Sequence, residues 1–257
     1  MKYMGNKNRI SKYILPIILR DRTTEPYVEP FCGGLGTMDK VLTGRRIASD
    51  YNKYLIAMWQ GLQLDLPRPR EIPKELYDRA RTEFNNGTNI EFSDFEIGWI
   101  GWMASFNGRF FDGGYSGTYK NRNYIDEQIR NTEKQIPLIK DIEFIYSNYL
   151  NLKIPPKSII YCDIPYKNTK QYSISKNFDH EKFYQWCIEK HSEGHKIFIS
   201  EYEMPDEFEC VWEMEITNAM ATKNTYKPIE KLFIVKWNRQ FRNHKIIVKK
   251  NIKRKNS

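Results

Sequence analysis

Apolar positions recur along this chain with two different spacings. Ile10, Tyr13, Ile14, Ile17 and Ile18 repeat as one face of a helix, which predicts a helix over 11–20. Pro16 either kinks that helix or marks its end. A short strand follows at 26–29, then a glycine-rich turn, then a helix through about Leu42. A second strand covers 46–50, with a helix over 52–60 behind it. From Leu62 to about Asp141 the pattern changes. Leu66-Pro67-Arg68-Pro69-Arg70 reads as a linker, a charged helix comes next, and 95–106 is apolar and aromatic. Strand patterning resumes at Glu143-Phe144-Ile145-Tyr146, ending near Tyr149. Ser158-Ile159-Ile160 is a buried strand running into Tyr161-Cys162-Asp163-Ile164-Pro165-Tyr166. The stretch 167–177, with Tyr172, is polar and reads as a mobile loop. Phe183, Trp186 and Cys187 share one face of a helix over 178–191, closed by Gly194. A strand at 196–200 follows. Cys210, Trp212, Met214 and Ile216 alternate as in a half-exposed strand, pairing antiparallel with 230–237 across a mobile stretch at 218–227. The alternation predicts an α/β fold of 1–60 and 142–257, interrupted by an insertion at 61–141.

Composition narrows this picture. In 257 residues, 40% hydrophobic and 14% aromatic, a sizeable core can be buried. No run of 18 or more apolar residues exists, so no membrane helix is expected. Met1-Lys2-Tyr3-Met4-Gly5-Asn6-Lys7 lacks the apolar stretch of a signal peptide. Cys32, Cys162, Cys187 and Cys210 show no metal-ligand spacing, and the four histidines are scattered. No metal is expected, and the thiols read as reduced core residues of a cytoplasmic protein. The formal net charge is +9. Residues 1–20 hold five Lys or Arg and no acid, and 239–257 hold eight and no acid. That imbalance favours a polyanionic partner, although the last stretch equally suits a solvated tail.

Candidate chemistry gathers at strand ends. Asp163, Pro165 and Tyr166 offer a carboxylate and a carbonyl that can both accept from one amino group, beside a ring that can lie on a planar base. Alone, the pattern is also an ordinary strand running into a proline turn. Gly33, Gly34 and Gly36 would let backbone approach a ligand at a sheet edge, or form an ordinary turn. They fail the dinucleotide fingerprint, because Asp39 stands at the third glycine position, which disfavours a nicotinamide dehydrogenase. Asp50 ends the second strand, seventeen residues after Gly33, where an acid can accept from ribose hydroxyls. The stretch 106–122 interleaves four glycines and aromatic rings with two arginines and a lysine. It suits phosphate contact, stacking and base-edge readout, or a plain surface hairpin.

Taken together and in order, these segments resemble the Dam-type (D12 class) DNA adenine methyltransferases of bacteria and their phages. Tyr3-Met4-Gly5-Asn6-Lys7 is similar to the family's N-terminal cofactor segment, and Val28 to Gly36 to its glycine loop. Ser49-Asp50-Tyr51-Asn52 follows, then Phe106-Asn107-Gly108, which resembles an element of the target recognition domain. Tyr161 to Tyr166 resembles the catalytic segment. Two positions differ: Ile164 stands where the family has a first proline, and Arg109 follows Gly108 directly, which leaves the target sequence open. The acid, the second proline and the aromatic all remain.

The resemblance implies a Rossmann-like S-adenosylmethionine-dependent methyltransferase sheet with an inserted, mainly helical target recognition domain carrying a β-hairpin. It implies methyl transfer from S-adenosylmethionine to the N6 amine of adenine in double-stranded DNA, by a monomer in the cytoplasm of a bacterium or phage-infected host. Asp163, Pro165 and Tyr166 become the catalytic residues. Tyr3, Lys7, Glu29, Phe31, Gly33, Gly34, Gly36, Asp50, Tyr149 and Asp163 become cofactor contacts. Asn107, Arg109, Tyr115, Tyr119, Lys120 and Arg122 become DNA contacts. A cytosine-N4 methyltransferase would use the same geometry. A catalytically impaired DNA-binding or anti-restriction module is the reading from a different class.

Overall fold

The computed structural model describes residues 1–167, 178–215 and 229–236. The polar stretch with Tyr172, residues 218–227, Ile216, Trp237 and the basic run 239–257 lie outside the described residues. The chain forms two compact units, 1–158 and 159–257.

In the first unit, α1 (Ser11–Ile18) buries Ile14, Leu15 and Ile18 and contains Pro16. It ends before the expected Arg20: Leu19 N–H donates to Leu15 O at 2.9 Å, but Arg20 N–H turns to Ile17 O at 3.4 Å and leaves the α-helical ladder. β1 (Tyr27–Glu29) and β2 (Arg46–Asp50) pair in parallel with Val28 opposite Ile47. Burial is continuous rather than alternating along β1 and the first four residues of β2, as in strands covered on both faces. The helix expected between them is a single 3-10 turn, Met38–Lys40. Thr37 provides no side-chain cap, and Val41 is already extended. α2 (Lys53–Gln63) outruns its predicted end and is capped by Asn52, whose side chain accepts from the Tyr54 and Leu55 N–H groups at 3.1 and 3.2 Å.

Six α-helices and strands come between α2 and β5 in this unit. They are α3 (Lys74–Asn86), α4 (Asp94–Ala104), the hairpin β3 (Thr118–Tyr119) and β4 (Arg122–Asn123), α5 (Tyr124–Glu133) and α6 (Ile136–Ile139). The segment read as a linker is tied down: Trp99 Nε1 donates to Pro69 O at 2.8 Å, and the Arg68 guanidinium lies over the Trp99 ring. α4 is buried on almost every side, with a Ser93–Glu96 capping box at its start. It packs against α2, where Gly98 meets the Tyr54 carbonyl. β5 (Ile142–Tyr146) then pairs in parallel with β2, bringing Tyr146 opposite Asp50.

In the second unit, β6 (Ile159–Asp163) is preceded by the buried Ser158. α7 (His180–Ser192) begins later than its apolar pattern does, because Asp179 caps it by accepting from Lys182 N at 3.0 Å. β7 (Lys196–Glu201) pairs in parallel with β6, placing Ser200 opposite Asp163. β8 (Phe208–Glu215) and β9 (Ile229–Val235) form the expected antiparallel pair, and β9 also runs antiparallel to β7. The chain is thus a mixed α/β protein with seven α-helices among the described residues and mostly parallel central strands.

Candidate active site

The glycine turn after β1 is pinned from several sides. Gly33 N–H donates to Asp50 Oδ2 at 3.1 Å, and Gly33 O accepts from the buried Trp59 Nε1 at 3.1 Å. Cys32 N–H donates to Ser49 O at 2.9 Å. The small residues of this loop are required by other parts of the chain. A Cβ at Gly34 would lie 2.5 Å from the Tyr3 Cβ, and one at Gly36 would collide with the Asn6 side-chain oxygen. Tyr3 itself rests against Trp102, with ring centroids 4.9 Å apart. Lys7 is buried and donates to Gly5 O at 2.9 Å. Glu29 is buried in β1 and accepts from Tyr27 OH at 2.9 Å and Thr37 Oγ1 at 2.6 Å.

Asp50 closes this arrangement. Its second oxygen accepts from Asn52 N–H at 3.0 Å. The residue keeps some access to solvent, yet protein packs around its carboxylate, and those surroundings set its ionisation. Burial pushes its pKa from 3.8 up to about 6, against the opposing pull of the Asn52, Gly33 and Tyr51 N–H groups. The Cys32 thiol is held well above its usual range by burial and by Asp50 and Glu29, so it is an inert core thiol. Phe31 and Tyr149 pack ring on ring, 5.3 Å between centroids. The two outer rings at these strand ends are others, Tyr51 and Tyr146, both more than half exposed and 6.2 Å apart.

In the second unit, Asp163 stands at the last position of β6, half-buried, and Ile164 is buried behind it. Tyr166 is buried, its ring edge-on to Tyr202 with centroids 4.6 Å apart, and its hydroxyl donates to Glu230 Oε2 at 2.6 Å. Burial, followed by the nearby Asp163 and Glu230 carboxylates, holds the Tyr166 hydroxyl well above its ordinary pKa, so it stays a donor. Lys167 N–H donates to Glu201 Oε2 at 3.0 Å. The Pro165 carbonyl lies 2.9 Å from His180 Nε2.

The DNA-contact candidates separate into two groups. Asn107 sits at φ 56° and is half-buried. Gly108 beside it packs so closely on the Lys2 carbonyl that a Cβ would collide there. Arg109 is half-buried, and its Nε has no hydrogen-bond partner among the described residues. Tyr115 turns inward, donating to Ile72 O at 2.7 Å and packing on Tyr77. Tyr119, Lys120 and Arg122 are exposed on the hairpin. Its tip residues, Lys120 and Asn121, both have positive φ, 45° and 61°, as a two-residue hairpin loop demands. Arg122 pairs with Glu127 and lies over the Tyr124 ring.

The family model for D12 class N6 adenine-specific DNA methyltransferases matches residues 3–241. The chain belongs to that family. It is therefore an enzyme that methylates the N6 amine of adenine in DNA, with S-adenosylmethionine as the methyl donor. No curated protein matches the chain. The donor set of the first unit fits that cofactor, with a strand-end carboxylate for hydroxyl groups and flanking tyrosine rings for a base. Among the described residues, no helix is long and apolar enough to cross a membrane, and no three His, Cys, Asp or Glu are grouped to hold a metal.

Several residues of these sites had not been singled out. Tyr51 carried a signal, an aromatic directly after a predicted strand end, whereas Tyr146 was missed because β5 ends there and not near Tyr149 as expected. His180, Glu201 and Glu230 carried none, because only tertiary pairing brings them to the Asp163 segment.

Proposed function

We propose that this methyltransferase acts on specific sites in double-stranded DNA, with separate roles for its two units. In residues 1–158, Asp50 accepts from the cofactor ribose and the 33–36 turn lies along its methionine part. Tyr3 and Lys7 order the segment that covers that turn, while Phe31 and Tyr149 back it. Glu29 acts from behind, bracing the turn through Thr37. When bound, S-adenosylmethionine supplies an electrophilic methyl group.

In the segment after β6, the Asp163 carboxylate and the Pro165 carbonyl accept the two N–H bonds of the target amine. That amine is conjugated with its ring and is a poor nucleophile. Accepting both N–H bonds draws its lone pair out of conjugation and fixes its direction. The gain is positioning and preorganised electrostatics, so no strong base is needed. The surplus proton leaves only after the amine has become cationic, and Asp163 is the nearest acceptor in this segment. The Tyr166 ring takes the base once it has left the duplex. The hairpin β3–β4 forms the DNA-reading end of a recognition insertion spanning 61–141, with Tyr119, Lys120 and Arg122 outward and Tyr115 as its anchor. Asn107 and Arg109 lie at the turn before it.

The observation that carries this reading is the order at the end of β6: a strand-end carboxylate, then a carbonyl, then an aromatic whose hydroxyl is fixed by Glu230. The test is transfer of labelled methyl from S-adenosylmethionine to duplex DNA, with nucleoside analysis of the product. Wild-type protein should yield N6-methyladenine. Asp163→Ala should lose transfer and still bind the cofactor. Wild-type turnover in Asp163→Ala would overturn the assignment, and N4-methylcytosine as product would redirect it to the other exocyclic amine.

A further inference from the structure

The Pro165 carbonyl already has a partner, and that partner comes from a different element. His180 is the first residue of α7, and its Nε2 lies 2.9 Å from Pro165 O. A carbonyl oxygen only accepts, so Nε2 carries the proton in this bond. The same oxygen has a second lone pair, which remains for another donor. The imidazole is held in place by rings on both sides along the chain. Phe178 meets it edge-on at 5.0 Å, and Tyr184, one turn into the helix, lies at 6.3 Å. A side chain that merely served the helix start would turn to its own N–H groups, as Asp179 does. His180 instead reaches out of the helix.

From these contacts we infer that His180 is a positioning residue for methyl transfer, fixing the Pro165 carbonyl at the angle where its second lone pair meets the target amine. The inference rests on the assignment of Pro165 above. Ile164 explains why such a residue is needed. A proline at that position would lock its own φ and stiffen the segment, whereas isoleucine leaves the backbone free to turn. Two side chains fix the residues after Pro165: Glu230 holds the Tyr166 hydroxyl, and Glu201 holds the Lys167 N–H. Neither touches the Pro165 carbonyl. Among the described residues, His180 is the group that does.

The test compares kcat and KM for methyl transfer, with the single-turnover rate measured alongside, in His180→Phe, which keeps a ring, His180→Leu, which keeps neither ring nor donor, and His180→Gln, which keeps a donor. Asp163→Ala runs beside them, and thermal melting identifies the variants that fold. Both donor-free variants should lose about tenfold or more in kcat, with KM for DNA and cofactor within about twofold. His180→Gln should recover to within about threefold of wild type. An unchanged kcat in folded His180→Phe overturns the inference. So does an equal loss in the Phe and Gln variants, or a loss confined to KM, since packing alone would explain either. Wild-type turnover in Asp163→Ala would instead remove the underlying assignment, whatever the His180 variants do.

Discussion

If Asp50 accepts from the cofactor ribose, as proposed above, its ionisation makes cofactor affinity depend on pH in a calculable way. Burial places its pKa at about 6, and its oxygens already accept from Gly33 and Asn52 N–H groups at 3.1 and 3.0 Å. A ribose hydroxyl donates well to the carboxylate and poorly to the acid. The apparent dissociation constant should therefore scale as one plus the ratio of protonated to ionised Asp50. At pH 7.5 that factor is about 1, and at pH 5 it is roughly 11, a loss of about 1.4 kcal/mol. The sign for the fold is the reverse. A carboxyl whose folded pKa is raised favours the folded state most below its unfolded value of 3.8, and that contribution is lost as pH rises through about 6. Acid thus spares the free protein at this position while weakening its complex. Calorimetric titration with S-adenosylmethionine from pH 5 to 8 measures the effect. Asp50→Asn serves as the reference, because any ionisation of the ligand is common to both curves. The variant should bind about 1.5–3 kcal/mol more weakly at pH 7.5, the scale of a hydrogen bond to a charged group. The two curves should converge toward pH 5. Parallel curves would refute the role of Asp50 as the ribose acceptor.

Two other substitutions probe neighbouring parts of the chain. Gly34→Ala places a Cβ 2.5 Å from Tyr3 Cβ and should destabilise the protein by roughly 1–3 kcal/mol, as overpacking does, which denaturant titration reads directly. Arg122→Ala gives up only an exposed, solvent-screened ion pair with Glu127, so folding should hardly change. Binding to all DNA sequences should weaken alike, with a salt slope smaller by about one, and an unchanged slope would remove Arg122 from the phosphate contacts.

The parts of the fold that could be read from sequence are those with local causes. β6 is an apolar run up to its terminal acid, β1 and β2 have apolar centres and likewise end in an acid, and Asn52 is a short polar residue placed where a helix begins. The expected helix after the glycine turn fails for a local reason as well, since nothing at Thr37 caps it and Val41 is extended. The glycines of the turn were legible as a close approach, yet the groups that approach include Tyr3 and Asn6 of the same chain. The hairpin tip was hidden because Lys120 and Asn121 adopt positive φ without a glycine. Tyr115 looked like its outward neighbours, and its bond to Ile72 O and its packing on Tyr77 separate it from them. The Glu230 and His180 partners of the Asp163 segment lie 64 and 15 residues away from the groups they hold, beyond any local pattern.

The first residues of the chain are laced to two glutamines of the helical stretch. Gln128 in α5 accepts from Lys2 N–H at 2.8 Å and donates to Lys2 O at 2.9 Å. Gln135 accepts from the Met1 amine at 2.5 Å and donates to Gly34 O at 3.2 Å and to Asp39 at 2.9 Å. The helix after the hairpin and the loop assigned to the cofactor therefore share one hydrogen-bonded strap. If ligation at one end shifts that strap, thermodynamic reciprocity requires an equal effect in return. Cofactor would then sharpen the grip on DNA by the same factor by which DNA sharpens the grip on cofactor. Loosening Gln128 would lower that shared factor without removing a contact to either ligand.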